Sequence, residues 1–145
     1  MLKREKSVVI HRPVDEVFAY VSDIRHSPEW QAAVVEVHKT TEGPLGVGSK
    51  FTFARMFLGK KLEANNEFIA YEPNSIVTFK FYGAIPGEAS YLFEAAAEGT
   101  KLTSTVQMNP AGFSRLAEPF IAASLGREMD VNLVELKRLL EAPSC

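Results

Sequence analysis

The sequence is short of cysteine, of charge imbalance and of long apolar runs, and each shortage removes a class of protein. Its one cysteine, Cys145, allows no disulfide within the chain and offers at most one metal ligand. Sixteen Lys and Arg stand against eighteen Asp and Glu, a formal charge of -2. That leaves no basic surplus to draw a phosphate backbone, so no nucleic acid is expected as a partner. No stretch reaches the roughly 18 consecutive apolar residues of a spanning helix, so stable membrane insertion is not expected either. The charged start Met1-Leu2-Lys3-Arg4-Glu5-Lys6 precedes an apolar run too short for a secretory leader, which with the lone cysteine makes a cytoplasmic protein the expectation. His11, His26 and His38 are scattered without ligand spacing, so no metal is expected. Gly46 and Gly48 join two strands and open no helix, and no phosphate loop, dinucleotide fingerprint or nucleophile elbow calls for a cofactor. Asp and Glu fall mainly on predicted outer faces and helix starts, which argues against a pair of catalytic carboxylates.

What remains is a chain of 145 residues, 46% hydrophobic and 23% charged, the composition of one globular domain covering 1–145. Ser7 to Arg12 reads as a strand because Val8, Val9 and Ile10 are β-branched and Pro13 ends the run. Pro13, Asp15 and Glu16 suit a first helical turn, and Val14, Val17, Phe18 and Val21 recur at helical spacing. Ser22 to Glu29 reads as a turn or second short helix, with Ser27-Pro28-Glu29 able to start it.

From Ala32 to Met108, short alternating runs separated by turn residues predict an antiparallel sheet. A two-residue turn at Gly59-Lys60 pairs Phe57 with Leu62, Arg55 with Ala64, Phe53 with Asn66 and Phe51 with Phe68. A turn at Glu98-Gly99 pairs Ala95 with Leu102, Phe93 with Ser104, Tyr91 with Val106 and Ala89 with Met108. A loop from Gly83 to Gly87 pairs Phe81 with Ala89, Phe79 with Tyr91 and Val77 with Phe93. All three hairpins agree on one apolar face. Asn109-Pro110-Ala111-Gly112 breaks the last strand. A helix of some 25 residues follows, with Pro119 in an early turn or kinking it, Met129, Leu133, Leu136 and Leu140 on one stripe, and Arg127 and Glu128 largely elsewhere.

The expected fold class is α+β: a curved antiparallel sheet of about seven strands gripping a long C-terminal helix, with two short helices after the first strand. Several inward positions are too small or too polar for a dry core: Ala64, Asn66, Ala89, Ala95 and Ser104 on strands, and Ala122, Ala123 and Gly126 on the helix. Arg55 shares a stripe with Phe51, Phe53 and Phe57, where an unpaired guanidinium is costly. A cavity holding water or a ligand with an acceptor group accounts for both observations.

Ile10-His11-Arg12-Pro13-Val14-Asp15-Glu16-Val17-Phe18, Pro28-Glu29-Trp30, Gly46-Val47-Gly48-Ser49-Lys50-Phe51, Tyr71-Glu72-Pro73, Gly99-Thr100-Lys101-Leu102 and Leu136-Lys137-Arg138-Leu139-Leu140-Glu141 follow one another in this order. Together they resemble the polyketide cyclase/dehydrase group of the START-like (SRPBCC) superfamily over nearly the whole chain. The resemblance implies the helix-grip fold of the birch-pollen-allergen type, with a hydrophobic ligand cavity between sheet and long helix. The superfamily includes lipid carriers, hormone receptors and aromatic cyclases, so fold alone does not choose the chemistry.

The leading expectation is a protein that binds a hydrophobic small molecule, lipid-like or polyketide-like. Ligand carbon would be buried against Phe53, Phe57, Phe68, Phe79, Tyr91 and Phe93 on the strands and against Leu116 and Phe120 near the last helix. Arg55 either anchors a carboxylate, phenolate or keto oxygen or, near a strand end, snorkels to solvent or pairs with Glu63 or Glu67, and Asn66 either orients the ligand or bonds a bulged backbone. Tyr91 offers a hydrogen bond or general acid, or simply packs. Ser104 faces inward, where its plain role is to make room. Trp30, near the entrance the resemblance implies, either walls the pocket or plugs helix against sheet. The rival is a cyclase or dehydratase using the same cavity. A third class is an interaction protein or homodimer joined through the outer sheet face at Met56 and Leu58.

Overall fold

The computed structural model describes residues 2–57, 59–83, 86–109 and 118–142. The side chain of Phe57, Leu58, and the Pro110 to Leu116 stretch with its expected strand breaker and pocket residue lie outside the described residues. Strand β1 (Leu2–Ile10) leads into α1 (Val14–Ser22), a 3-10 turn (Ile24–His26) and α2 (Ser27–Trp30). Six strands follow: β2 (Val34–Lys39), β3 (Lys50–Phe57), β4 (Lys60–Glu72), β5 (Ile76–Tyr82), β6 (Gly87–Ala96) and β7 (Gly99–Met108). Helix α3 (Glu118–Glu141) closes the described chain. The strands form one antiparallel sheet in the order β1-β7-β6-β5-β4-β3-β2, curved around α3 in the helix-grip arrangement.

The first strand begins earlier than its β-branched run suggests. Lys3 to Lys6 pair with Gln107 to Ser104, so the hydrogen-bond ladder, and not propensity, recruits the charged residues. At the other end β1 stops at Ile10, short of the expected Arg12. Helix α1 starts after Pro13, has Asp15 and Glu16 in its first turn, and buries Val17, Phe18 and Val21. The Asp23 carboxylate then accepts from the Arg25 backbone N–H at 3.2 Å and starts the 3-10 turn.

All three predicted hairpins form with the expected inner face, but each register differs by two residues. Arg55 faces Leu62, Phe53 faces Ala64 and Phe51 faces Asn66. Likewise Phe79 faces Ala89, Tyr91 faces Ser104 and Phe93 faces Leu102. A displacement of two leaves every side chain on the same side, because strand side chains alternate with a period of two. The reason lies in the turns. Phe57 pairs with Lys60, which puts Gly59, at φ +79°, inside the first turn. Gly99 pairs with Ala96 as a strand residue, where a Cβ would lie 2.2 Å from the Ile10 carbonyl oxygen, so this glycine serves the close approach of β1 instead of the turn.

Helix α3 is 24 residues long with Pro119 in its first turn, and it buries Ile121, Leu125, Met129, Leu133 and Leu136. Its C-terminal end is tied to β1 and the residues just after it. Arg12 Nε donates to the Leu140 carbonyl at 2.8 Å, Lys137 Nζ donates to the Val9 carbonyl at 2.6 Å, and the His11 N–H donates to Glu141 Oε2 at 2.8 Å. Under that end Ile10, Phe68, Val77, Leu102 and Leu136 are fully buried in the principal core. A smaller cluster of Leu2, Met108, Ile121, Ala122, Leu125 and Met129 closes the opposite end.

Candidate functional site

Between those two clusters the sheet and α3 do not fill the space. Crossing β6, β7 and β1, the row Phe93, Leu102 and Val8 is bulky, whereas the next rows bring Tyr91, Ser104 and Lys6, then Ala89, Val106 and Arg4. With Ala64 on β4 this change of side-chain volume leaves a cavity of about 180 Å³. An engineered apolar cavity of about 150 Å³ accepts benzene, so the space suits one ring with small substituents.

Of the expected site residues, Trp30, Phe53, Arg55, Asn66, Phe79, Tyr91 and Ser104 line this cavity. Phe68 and Phe93 do not. They belong to the principal core, where Phe93 meets Phe18 edge-on at 5.0 Å and Phe68 packs on Phe51. Phe120 is 76% exposed and turned away from the ligand space it was expected to cover, because Ile121 and Leu125 take the inward stripe of α3. Ala95 and Ala123 are exposed as well, while Ala64, Ala89, Ala122 and Gly126 stand inside. Met56 is on the outer face at 41% exposure.

Arg55 pairs neither with Glu63 nor with Glu67. Its Nη2 donates to both oxygens of Glu128, at 2.7 and 2.8 Å, bridging β3 to α3 across the cavity. Glu128 was expected off the inward stripe and is the acidic residue that sequence reasoning missed. The signal was present, since Ile121, Leu125, Glu128 and Asn132 recur at helical spacing and all line the cavity. Gln31, directly after α2, was missed too, and its Nε2 lies 3.4 Å from the Tyr91 hydroxyl oxygen. Asn132 Oδ1 accepts from the Ala32 N–H at 3.3 Å, holding the segment after α2 against α3.

Two polar atoms in this lining have no hydrogen-bond partner although both are buried: Arg55 Nε and Asn66 Oδ1. Asn66 is only 3% exposed. An orphaned buried donor or acceptor costs about 1–3 kcal/mol, so the lining is incomplete as a dry interior. Burial pushes the Tyr91 phenol above its ordinary range, the Glu128 carboxylate adds to the rise, and the Gln31 hydrogen bond opposes it. Tyr91 therefore keeps its proton at neutral pH and can donate it as a hydrogen bond. Trp30 is buried at 4% with its ring 6.1 Å from that of Tyr91, walling the cavity and joining α2 to the sheet. The three histidines each meet carboxylates in separate places: His11 at Glu98 and Glu141, His26 at Glu29, and His38 at Glu36. Among the described residues no group of His, Cys, Asp and Glu converges as a metal site. No helix of the described residues is long and apolar enough to cross a membrane.

The family described as polyketide cyclase/dehydrase and lipid transport matches residues 1–141. Solved structures share the fold at low identity. The protein TTHA0849 from Thermus thermophilus superposes with a TM-score of 0.80 at 18% identity, covering 99% of each chain. The di-domain ARO/CYC StfQ from the steffimycin biosynthetic pathway gives 0.77 at 16% identity, over 97% of this chain and 50% of that one. Ara h 8.0201 gives 0.70 at 14% identity, over 95% of this chain and 96% of that one. Among curated proteins no sequence matches.

Proposed function

The chain belongs to the polyketide cyclase/dehydrase and lipid transport family, and from that premise we propose that it encloses a small, largely apolar molecule between the sheet and α3. The observation that carries this reading is the unfilled space of about 180 Å³ whose lining leaves Arg55 Nε and Asn66 Oδ1 without partners. An apolar pocket with a few convergent polar groups is the ordinary form of a small-molecule site. Phe53, Phe79 and Tyr91 would bury ligand carbon at about 25 cal/mol per Å², and Arg55, Asn66 and Tyr91 would orient it. One ligand-binding domain in a cytoplasmic setting belongs to the same proposal. Incubation with a panel of lipids and aromatic metabolites followed by native mass spectrometry tests it. A retained mass that disappears when Ala89→Phe fills the cavity is expected; no retained mass across the panel defeats the reading.

A second reading, a cyclase or dehydratase acting in the same cavity, is favoured by one feature, the buried and protonated Tyr91 beside the Arg55–Glu128 pair. Tyr91 would donate a hydrogen bond to a substrate carbonyl oxygen and polarise it, and the cavity would hold a flexible substrate folded. Turnover of a polyketone by the wild type, lowered at least about 100-fold in Tyr91→Phe, is the expected result under this reading. Unchanged turnover in that variant removes Tyr91 from it.

A further inference from the structure

The lining of the cavity constrains the charge of its occupant as well as its size. Among the described residues Arg55 is its one cation, and Glu128 already holds that guanidinium with both carboxylate oxygens. A carboxylate ligand would therefore have to displace Glu128 from Arg55 or sit unpaired beside that like charge, and both are costly in a partly desolvated space. The unpartnered atoms ask for something else. Asn66 Oδ1 requires a donor, and Arg55 Nε requires an acceptor. They stand on neighbouring strands. Arg55 faces Leu62, four residues along β4 from Asn66, or about 13 Å at the backbone less the reach of the side chains. Polar atoms of the occupant at two separated points match that spacing.

Resting on the binding function proposed above, we infer that the cavity selects an uncharged, single-ring compound with a hydroxyl donor at one end and a carbonyl acceptor at the other, and rejects the matching carboxylate. The carbonyl oxygen accepts from Arg55 Nε, with the Tyr91 hydroxyl as a second donor, and the ring hydroxyl donates to Asn66 Oδ1. Glu128 acts as the selectivity element. It cancels the charge that would otherwise recruit acids, while leaving Arg55 Nε free to donate.

Calorimetric titration at pH 7 with three probes tests this: 4-hydroxyacetophenone, 4-hydroxybenzoate and acetophenone. The first should bind at least about tenfold tighter than the benzoate, which keeps the ring and hydroxyl but carries a charge, and tighter than acetophenone, which lacks the donor. Glu128→Gln, close to isosteric, should narrow or invert the preference by releasing the Arg55 charge for the benzoate. Equal or tighter binding of the benzoate by the wild type overturns the selectivity while leaving the cavity's binding role intact. So does a Glu128→Gln variant that keeps the wild-type preference unchanged. If none of the three probes binds and naphthalene, an apolar probe, is also refused, the binding reading itself fails, and this inference falls with it.

Discussion

The two halves of the space between sheet and α3 share the same strands and the same long helix and differ in side-chain volume and polarity and in the short helix packed over one of them. Near α1 the interior is dry. Phe18 meets Phe93 and Tyr71 edge-on at 5.0 and 5.4 Å, and Ile10, Leu102 and Leu136 have no exposed surface. Two rows further along β6 and β7, Ala89 faces Val106, Tyr91 faces Ser104, and the space stays open. A helix-grip fold can therefore be built closed or hollow from the same ladder. Short helices supply the plug at one end, and small residues withhold it at the other.

The comparison is sharpened most by truncation. Phe93→Ala, at the dry end, should cost about 3–5 kcal/mol in denaturant unfolding, since its neighbours are fixed by packing on all sides. Phe79→Ala beside the cavity should cost at least about 1 kcal/mol less, because one side of that ring already lacks partner atoms. Equal losses would erase the distinction between the two ends.

A smaller effect is expected where the charges cross the hollow end. A double-mutant cycle with Arg55→Met and Glu128→Gln should return a coupling of about 1–2 kcal/mol, more than a surface pair, since the side chains are 34% and 23% exposed. Coupling near zero would place the pair among ordinary surface contacts. Asn66→Leu should go the other way. Removing a buried amide whose oxygen lacks a partner should stabilise the fold by about 1 kcal/mol while weakening binding of 4-hydroxyacetophenone, the pattern of a polar group kept for function. A destabilised variant would mean the amide is satisfied in solution.

The smallest effect lies outside the comparison, at the corner that holds α2 over the cavity. The His26 hydrogen bond, with help from the Tyr20 hydroxyl against a small burial penalty, holds the Glu29 carboxyl below its ordinary range. A carboxylate with a lowered folded pKa adds stability above its unfolded value and loses it as pH falls through the folded one. Glu29→Gln should therefore melt slightly below wild type at pH 7, by about 0.5 kcal/mol or less for so exposed a group. The gap should close as the pH falls through the lowered folded value. A gap that persists once the carboxyl is protonated in both folded and unfolded chains would assign the loss to packing.

Much of the candidate site was legible in the sequence. Alternation along the strands put Phe53, Arg55, Asn66, Phe79, Tyr91 and Ser104 on one face, and all six line the cavity. Register was less legible. Glycines near a turn can serve the turn or a neighbouring strand, and Gly99 serves β1. Phe120 and Glu128 were misplaced for one reason: on a helix a stripe drawn through Met129, Leu133, Leu136 and Leu140 leaves its orientation open by a residue on either side. Ile121 and Leu125 settle it, taking Glu128 inward and Phe120 outward.

The order of elements, the face each strand residue shows and the stock of small inward side chains follow from the chain itself, because side-chain alternation, turn chemistry and helical period are local properties. Only the folded molecule decides that β3 presents Arg55 to Glu128 of α3 across 73 positions of sequence, and that no described residue reaches Asn66 Oδ1. Those outcomes depend on how far a curved sheet stands from its helix, a distance summed over many side-chain volumes and carried by no single segment.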